Sequence, residues 1–240
     1  MESVNKKNPR LIFSRMEYKY LIPNHLVNEL IIFFAERMEL DVNNINKKPY
    51  IVSSIYYDSP DLIFYRDKIE GYPNRSKVRV RFYGDKFSEK DDVFIEIKNK
   101  DTDRIYKERE VVRFDNLRNF IEREGCVEGD SGNELLKKIR YLKNLYALSP
   151  KVTVKYKRIS FLDDIVGFKV SFDTDLQAAF PQDTNNLDLY KKVFNNSSIM
   201  EIKFDKEIPA YVINLLRKYN FNKEPVSKYC YSLEKLCSIS

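Results

Sequence analysis

The sequence has no tryptophan, one histidine, six glycines and three cysteines in 240 residues. Each scarcity removes a class of chemistry. His25, the lone histidine, lies in a predicted helix start and reads as a surface residue, so a Ser-His-Asp triad, a histidine-liganded zinc site and a phosphohistidine route are not expected. No GxxxxGK[ST] loop occurs, and glycine is too sparse for a phosphate-cradling nest. Cys126, Cys230 and Cys237 lack CxxC spacing and histidine neighbours, so they read as reduced thiols rather than a disulfide frame or a zinc site. The most apolar helical run, "LIIFFA" at 30–35, is too short to span a bilayer. The N-terminus "MESVNKKNPR" lacks the apolar centre of a signal peptide. A cytoplasmic location and no membrane segment are expected.

Charged residues make up 32% of the chain and the net charge is +6. That favours acidic partners without calling for nucleic acid. The seventeen tyrosines and sixteen phenylalanines suit a strand-rich domain.

Alternation of apolar and polar residues predicts strands at 12–22, 50–59, 77–83, 93–99, 104–114, 151–161, 168–176 and 198–204. Helical periodicity predicts helices at 23–38, 61–71 and near 209–219, and two more within 115–147, the second being "NELLKKIRYLKNLY". The segment "VSKYCYSLEKL" closes the chain. No βαβα alternation occurs, so an antiparallel α+β fold is expected. The domain is expected over 12–235, with tails at 1–11 and 236–240.

The stretch "NRSKVRVRFYG" places Arg75, Lys77, Arg79 and Arg81 on one strand face and Val78, Val80 and Phe82 on the other. Other strands repeat the pattern: Glu17 with Lys19, Glu96 with Lys98, Lys107 with Arg109, Tyr156 with Arg158, Lys169 with Asp173, and Glu201 with Lys203. Taken singly, each reads as an amphipathic strand with its charges in water. Taken together, they repeat arginine, lysine and glutamate almost exclusively, and amphipathic helices stand ready to cover the apolar faces. An eight-stranded antiparallel β-barrel with a charged lumen, flanked by those helices, satisfies both patterns and removes the sheet edges.

Such a lumen sets Lys19, Arg79, Arg81, Lys98, Lys107, Arg109, Arg158, Lys169 and Lys203 against Glu17, Glu96, Asp173 and Glu201. Crowded cations need an anion, and arginine forks match phosphate oxygens. The carboxylates suit Mg²⁺ or Mn²⁺, which bridge phosphates. Within the opening stretch, Arg79 and Arg81 are the candidates, while Arg75 and Lys77 are expected at the mouth or in solvent.

The order "RMEYKYLI", "SSIYYDSP", "KVRVRFYG", "FIEIKNK", "YKERE", "YKRISF", "VSFD", "MEIKF" and "VSKY" resembles the VTC domain, the polyphosphate polymerase branch of the CYTH-like triphosphate tunnel metalloenzymes. The resemblance runs from about residue 12 to 235 and implies an eight-stranded tunnel. It implies that Lys19, Arg79, Arg81, Lys98, Lys107, Arg158 and Lys228 bind a nucleotide triphosphate and the growing chain, with Glu201 the main ligand of a Mn²⁺ or Mg²⁺ ion. Lys228 follows from the resemblance alone. Hydrolytic members carry ExExK in the first strand, where this chain reads Arg15, Glu17, Lys19. Lys169 stands where arginine is expected. Eukaryotic relatives carry an inositol-phosphate-sensing domain and membrane helices, neither of which is expected within this sequence.

The resulting expectation is transfer of the ATP γ-phosphoryl group to a polyphosphate chain. Arg79, Arg81 and Lys98 hold the transferred phosphates. Lys107, Arg109, Arg158, Lys169, Lys203 and Lys228 line the chain's path, and Glu17 and Glu96 join Glu201 as carboxylates for the metal. ATP and polyphosphate are the expected partners, with a membrane protein left open as the recipient of the product. Two alternatives stand beside it. One is a triphosphate hydrolase using Glu17 or Glu96, and the other is a non-catalytic polyphosphate or inositol-phosphate sensor.

Overall fold

Alternating sequence builds one antiparallel sheet in the computed structural model, which describes residues 16–44, 48–101, 104–117 and 133–238. The long strands are β1 (Met16–Pro23), β3 (Tyr50–Asp58), β4 (Arg75–Tyr83), β5 (Asp92–Asp101), β6 (Arg104–Arg113), β7 (Ser149–Asp163), β8 (Phe168–Ala179) and β10 (Ser197–Phe204). Two-residue strands β2 (Glu39–Leu40) and β9 (Lys191–Lys192) pair with β7 and β8. The helices are α1 (Val27–Ala35), α2 (Ile63–Ile69), α3 (Glu134–Tyr146), α4 (Ala210–Lys218) and α5 (Lys228–Cys237). Residues 1–15, including the expected tail, Arg15 and the start of the first predicted strand, lie outside the described residues. So do Cys126 and most of the first helical segment expected within 115–147. No helix among the described residues is long and apolar enough to cross a membrane.

The eight long strands are antiparallel neighbours in the order β1-β10-β8-β7-β3-β4-β5-β6. The α+β class is as expected, but the closed barrel is not. Among the described residues no ladder joins β1 to β6. The backbone shows what β1's outer edge does instead. Lys19 O accepts from Glu224 N (2.9 Å) in the segment leading to α5, so that edge is partly satisfied by the C-terminal segment rather than by a strand. The sheet nevertheless curls. Glu17 on β1 and Lys98 on β5, near opposite ends of the strand order, are 3.0 Å apart, which puts the charged face inside.

The outer face is apolar and covered by helices. Tyr20, Phe172, Ile202 and their neighbours pack with Leu30 and Phe34 of α1 and Val212 and Leu215 of α4. Val78, Val80, Ile95 and Ile97 pack with Phe64 of α2 and Leu135, Leu136 and Ile139 of α3. Asn133 caps α3 by accepting from Leu135 N and Leu136 N (3.0 and 3.2 Å).

The third cluster corrects the picture of an evenly charged lumen. Val52, Tyr56, Val154, Tyr156 and Ile199 lie on the inner face, and they pack against Tyr229, Cys230 and Leu233 of α5. A bulge helps to arrange this. Lys157 pairs with Thr174 but Lys155 with Gln177, and the extra residue, Asp175, takes φ 53°. Beyond it Leu176 and Ala178 return to the inner side. One part of the concave face is therefore apolar and carries α5, and the other is charged.

Candidate functional site

Strand register assembles the charged part. Arg79 stands opposite Glu96, which stands opposite Arg109. Lys19 is opposite Glu201, and Arg158 opposite Asp173. The side chains then join into three groups.

The first is centred on Glu96, which is only 1% exposed. Arg79 Nε lies 2.6 Å from its Oε2, Lys107 Nζ 2.6 Å from its Oε1, and Arg81 Nη2 3.8 Å away. Burial would push this carboxyl up, but Arg79, Arg81 and Lys107 outweigh it and hold it well below the usual carboxylate range. Tyr56 Oη accepts from Arg79 Nη1 (3.1 Å). Arg81 Nε is buried with no hydrogen-bond partner among the described residues, so this fork keeps an unused donor on the inner face.

The second group joins Glu17 and Glu201. Glu17 is bound by Lys19 and by Lys98, with Lys203 at 3.9 Å. Glu201 receives Lys203 at 2.8 Å and has Lys19 and Lys228 at 4.0 and 3.9 Å. Burial and mutual repulsion raise Glu17, and the three lysines more than reverse it. Burial is likewise overcome at Glu201, whose ionisation lies far below normal because of Lys203, Lys19, Lys228 and Arg158.

The third group is the most buried around its carboxylate. Asp173, with no exposed surface, accepts Arg158 as a fork (Nε 2.5 Å, Nη2 2.7 Å) and Lys228 Nζ at 2.5 Å. Lys228 is the first residue of α5, whose N-cap Ser227 accepts from Cys230 N. The helix thus delivers a cation into the sheet, held over the Tyr156 ring. Burial disfavours its charge, yet Asp173, Tyr156 and Glu201 raise its pKa above the ordinary lysine value.

The expected residues Lys19, Arg79, Arg81, Lys98, Lys107, Arg158, Lys203, Lys228, Glu17, Glu96 and Glu201 are thus brought onto one inner face. Arg109 shares the face by register but is exposed on the end strand, over the Phe94 ring. Lys169 is opposite Lys203 but is bound to Asp41 in the turn after β2 rather than to a carboxylate of the three groups. Lys77, expected at the mouth or in solvent, is instead on the inner face opposite Lys98, donating to Ser227 Oγ (2.7 Å). Its alternation with Arg79 and Arg81 was the available signal. Arg75 donates to Tyr72 O outside the site. Tyr56 and Ser227 carry no sequence signal, because only tertiary packing brings them here.

The three carboxylates expected to hold a metal are divided. Glu17 and Glu201 share Lys19 and Lys203 as neighbours, whereas Glu96 belongs with the arginines. No group of three acidic or histidine/cysteine side chains suited to caging an ion occurs among the described residues. Two carboxylates still fit a hard cation that completes its shell with water and phosphate oxygens, as Mg²⁺ does.

These features define a class: an α+β protein whose curled antiparallel sheet encloses a cation-rich, carboxylate-laced face. The family model described as the VTC domain matches residues 14–237, and the chain belongs to that family. It is 25% identical over 189 residues to vacuolar transporter chaperone complex subunit 4 of Schizosaccharomyces pombe. That match covers 68% of this chain and 26% of the relative, so the chain spans about a quarter of that relative's length. Its fold is similar to a putative adenylate cyclase from Bacillus halodurans, with a TM-score of 0.55 at 12% identity over 90% of this chain and 96% of the other.

Proposed function

We propose that the protein is a polyphosphate polymerase that transfers the γ-phosphoryl group of ATP to a polyphosphate chain inside its curled sheet. The observation that carries this reading is the inner face itself, where the eight cations Lys19, Arg79, Arg81, Lys98, Lys107, Arg158, Lys203 and Lys228 meet the four carboxylates Glu17, Glu96, Asp173 and Glu201. An excess of buried cations is costly in an empty site and is relieved by a polyanion. Membership of the VTC-domain family and the partial match to a transporter chaperone subunit support the same substrate class.

In this mechanism a terminal oxygen of the polyphosphate chain attacks the γ-phosphorus. The bond from that phosphorus to the β-bridging oxygen breaks, and ADP leaves with the electron pair. The acceptor is already an oxyanion, so no general base is needed. Arg79 and Arg81 orient the transferred group by forks and point charge, Lys98 and Lys107 neutralise its oxygens, and Lys19, Arg158, Lys203 and Lys228 steer the chain. Glu201 and Glu17 would hold a divalent cation, which supplies charge neutralisation between phosphates when bound.

One further observation favours transfer over hydrolysis. Lys98, Lys19 and Lys203 hold Glu17 far below its usual pKa, as Arg79, Arg81 and Lys107 hold Glu96, and carboxylates so stabilised as anions are poor bases toward water. Incubation with ATP and Mn²⁺, read by chain-length analysis, is expected to give ADP and a polyphosphate ladder. Free phosphate as the only product would rule out polymerisation, and tight binding without turnover would establish a sensor.

A further inference from the structure

Lys77, Lys98 and Lys107 stand directly opposite one another on β4, β5 and β6. Like charges placed so across a ladder destabilise it. Lys98 has Glu17 at 3.0 Å and Lys107 has Glu96 at 2.6 Å. Among the described residues no carboxylate pairs with Lys77, whose Nζ donates to the neutral Ser227 Oγ.

The groups around Lys77 explain why this contact is weak compensation. Arg75 and Arg79 flank it on β4. Lys19 of β1 and Lys68 of α2 add charge, as does Lys98. On the adjoining strand β3, Asp58 commits its oxygens to Tyr229 Oη and the N–H groups of Ser59, Phe64 and Tyr65. Burial and the lysines push the Lys77 ammonium down to about 7. Cys230 of α5 opposes this, but burial raises its own thiol pKa and keeps it neutral.

We propose that Lys77 is a further phosphate ligand: an incoming phosphate chain replaces Ser227 Oγ as the partner of its Nζ, and the amine takes a proton from solvent as it binds. The inference rests on the polyphosphate reading above and adds a ligand to it. Between about pH 7 and the ordinary lysine value of 10.5, the free site holds a partly neutral amine and the bound site an ammonium. Binding in that window therefore takes up protons at Lys77 and weakens as pH rises.

The test is calorimetric titration of the whole protein with tripolyphosphate at pH 8, in two buffers of different ionisation enthalpy. Proton release by the tripolyphosphate itself is common to all variants, so the comparison reads Lys77. Wild type is expected to take up close to one proton more than Lys77→Met, which also binds about tenfold more weakly, the loss of one charge-assisted hydrogen bond. Lys77→Arg, permanently charged, is expected to keep the affinity and lose the extra uptake, and decides the matter if the Met variant does not fold. Variants that match wild type in both quantities would overturn the role of Lys77 while leaving the polyphosphate reading standing. A wild-type protein that fails to bind tripolyphosphate would overturn both.

Discussion

Glu96 is the anion on which Arg79, Arg81 and Lys107 converge, and Glu96→Gln leaves all three facing one another. Breaking a buried pair from one side costs about 3 kcal/mol, or about 6–12 °C for a domain of this size. Differential scanning calorimetry of the anion-free variant is expected to show that loss, and tripolyphosphate is expected to recover more stability in the variant than in wild type. A variant that melts with wild type would mean the cations are not compensated as described. Much at this scale was legible in the sequence. Alternation placed Arg79 with Arg81, Glu96 with Lys98, and Glu201 with Lys203 on one face of their own strands, because the strand period admits no other arrangement, and the strand registers bring those faces together. Lys228 was not legible that way, since a lysine at a helix start has no periodic signal and its buried partner Asp173 is distant in sequence. Lys77 was legible in pattern and misplaced in depth, because depth depends on α5.

Helix α5 is the element least apparent in the sequence. Its apolar residues Tyr229, Leu233 and Leu236 have helical spacing, but nothing local shows that they bury against the inside of the sheet. The apolar inner positions Val52, Tyr56 and Val154 would read equally well as outer-face residues. The helix also presents Ser227 and Lys228 to the site, so packing and binding are coupled. Leu233, 2% exposed, gives a direct check. Leu233→Ala should cost about 3 kcal/mol through lost burial and a cavity. It should also weaken tripolyphosphate binding measured well below the melting transition, because Lys228 loses its platform. A destabilised variant with wild-type affinity would show that α5 only seals the sheet. The amphipathic helices α1, α3 and α4, by contrast, were predictable from periodicity, because each has an outer sheet face to cover.

At the scale of the molecule, the strand number and antiparallel class followed from alternation, while closure did not. Whether two end strands pair depends on curl and on the segment before α5, neither of which is local. The four inner carboxylates ionise below their normal range. Their contribution is therefore fully present above the unfolded values, near 4.5 for the three glutamates and 3.8 for Asp173, and is lost as pH falls below them. Melting temperature followed from pH 7 to pH 3 should drop below those values, and Glu96→Gln should flatten the drop. An acid profile identical in the two proteins would remove Glu96 from the account.

The most direct test of the central claim, that the inner face holds a phosphate chain, is the melting temperature of the protein with and without tripolyphosphate. At a hundredfold excess over the dissociation constant the gain should be about 2.7 kcal/mol, or about 5–10 °C, and it should shrink in Arg81→Ala. A melting temperature unmoved by tripolyphosphate would contradict the claim.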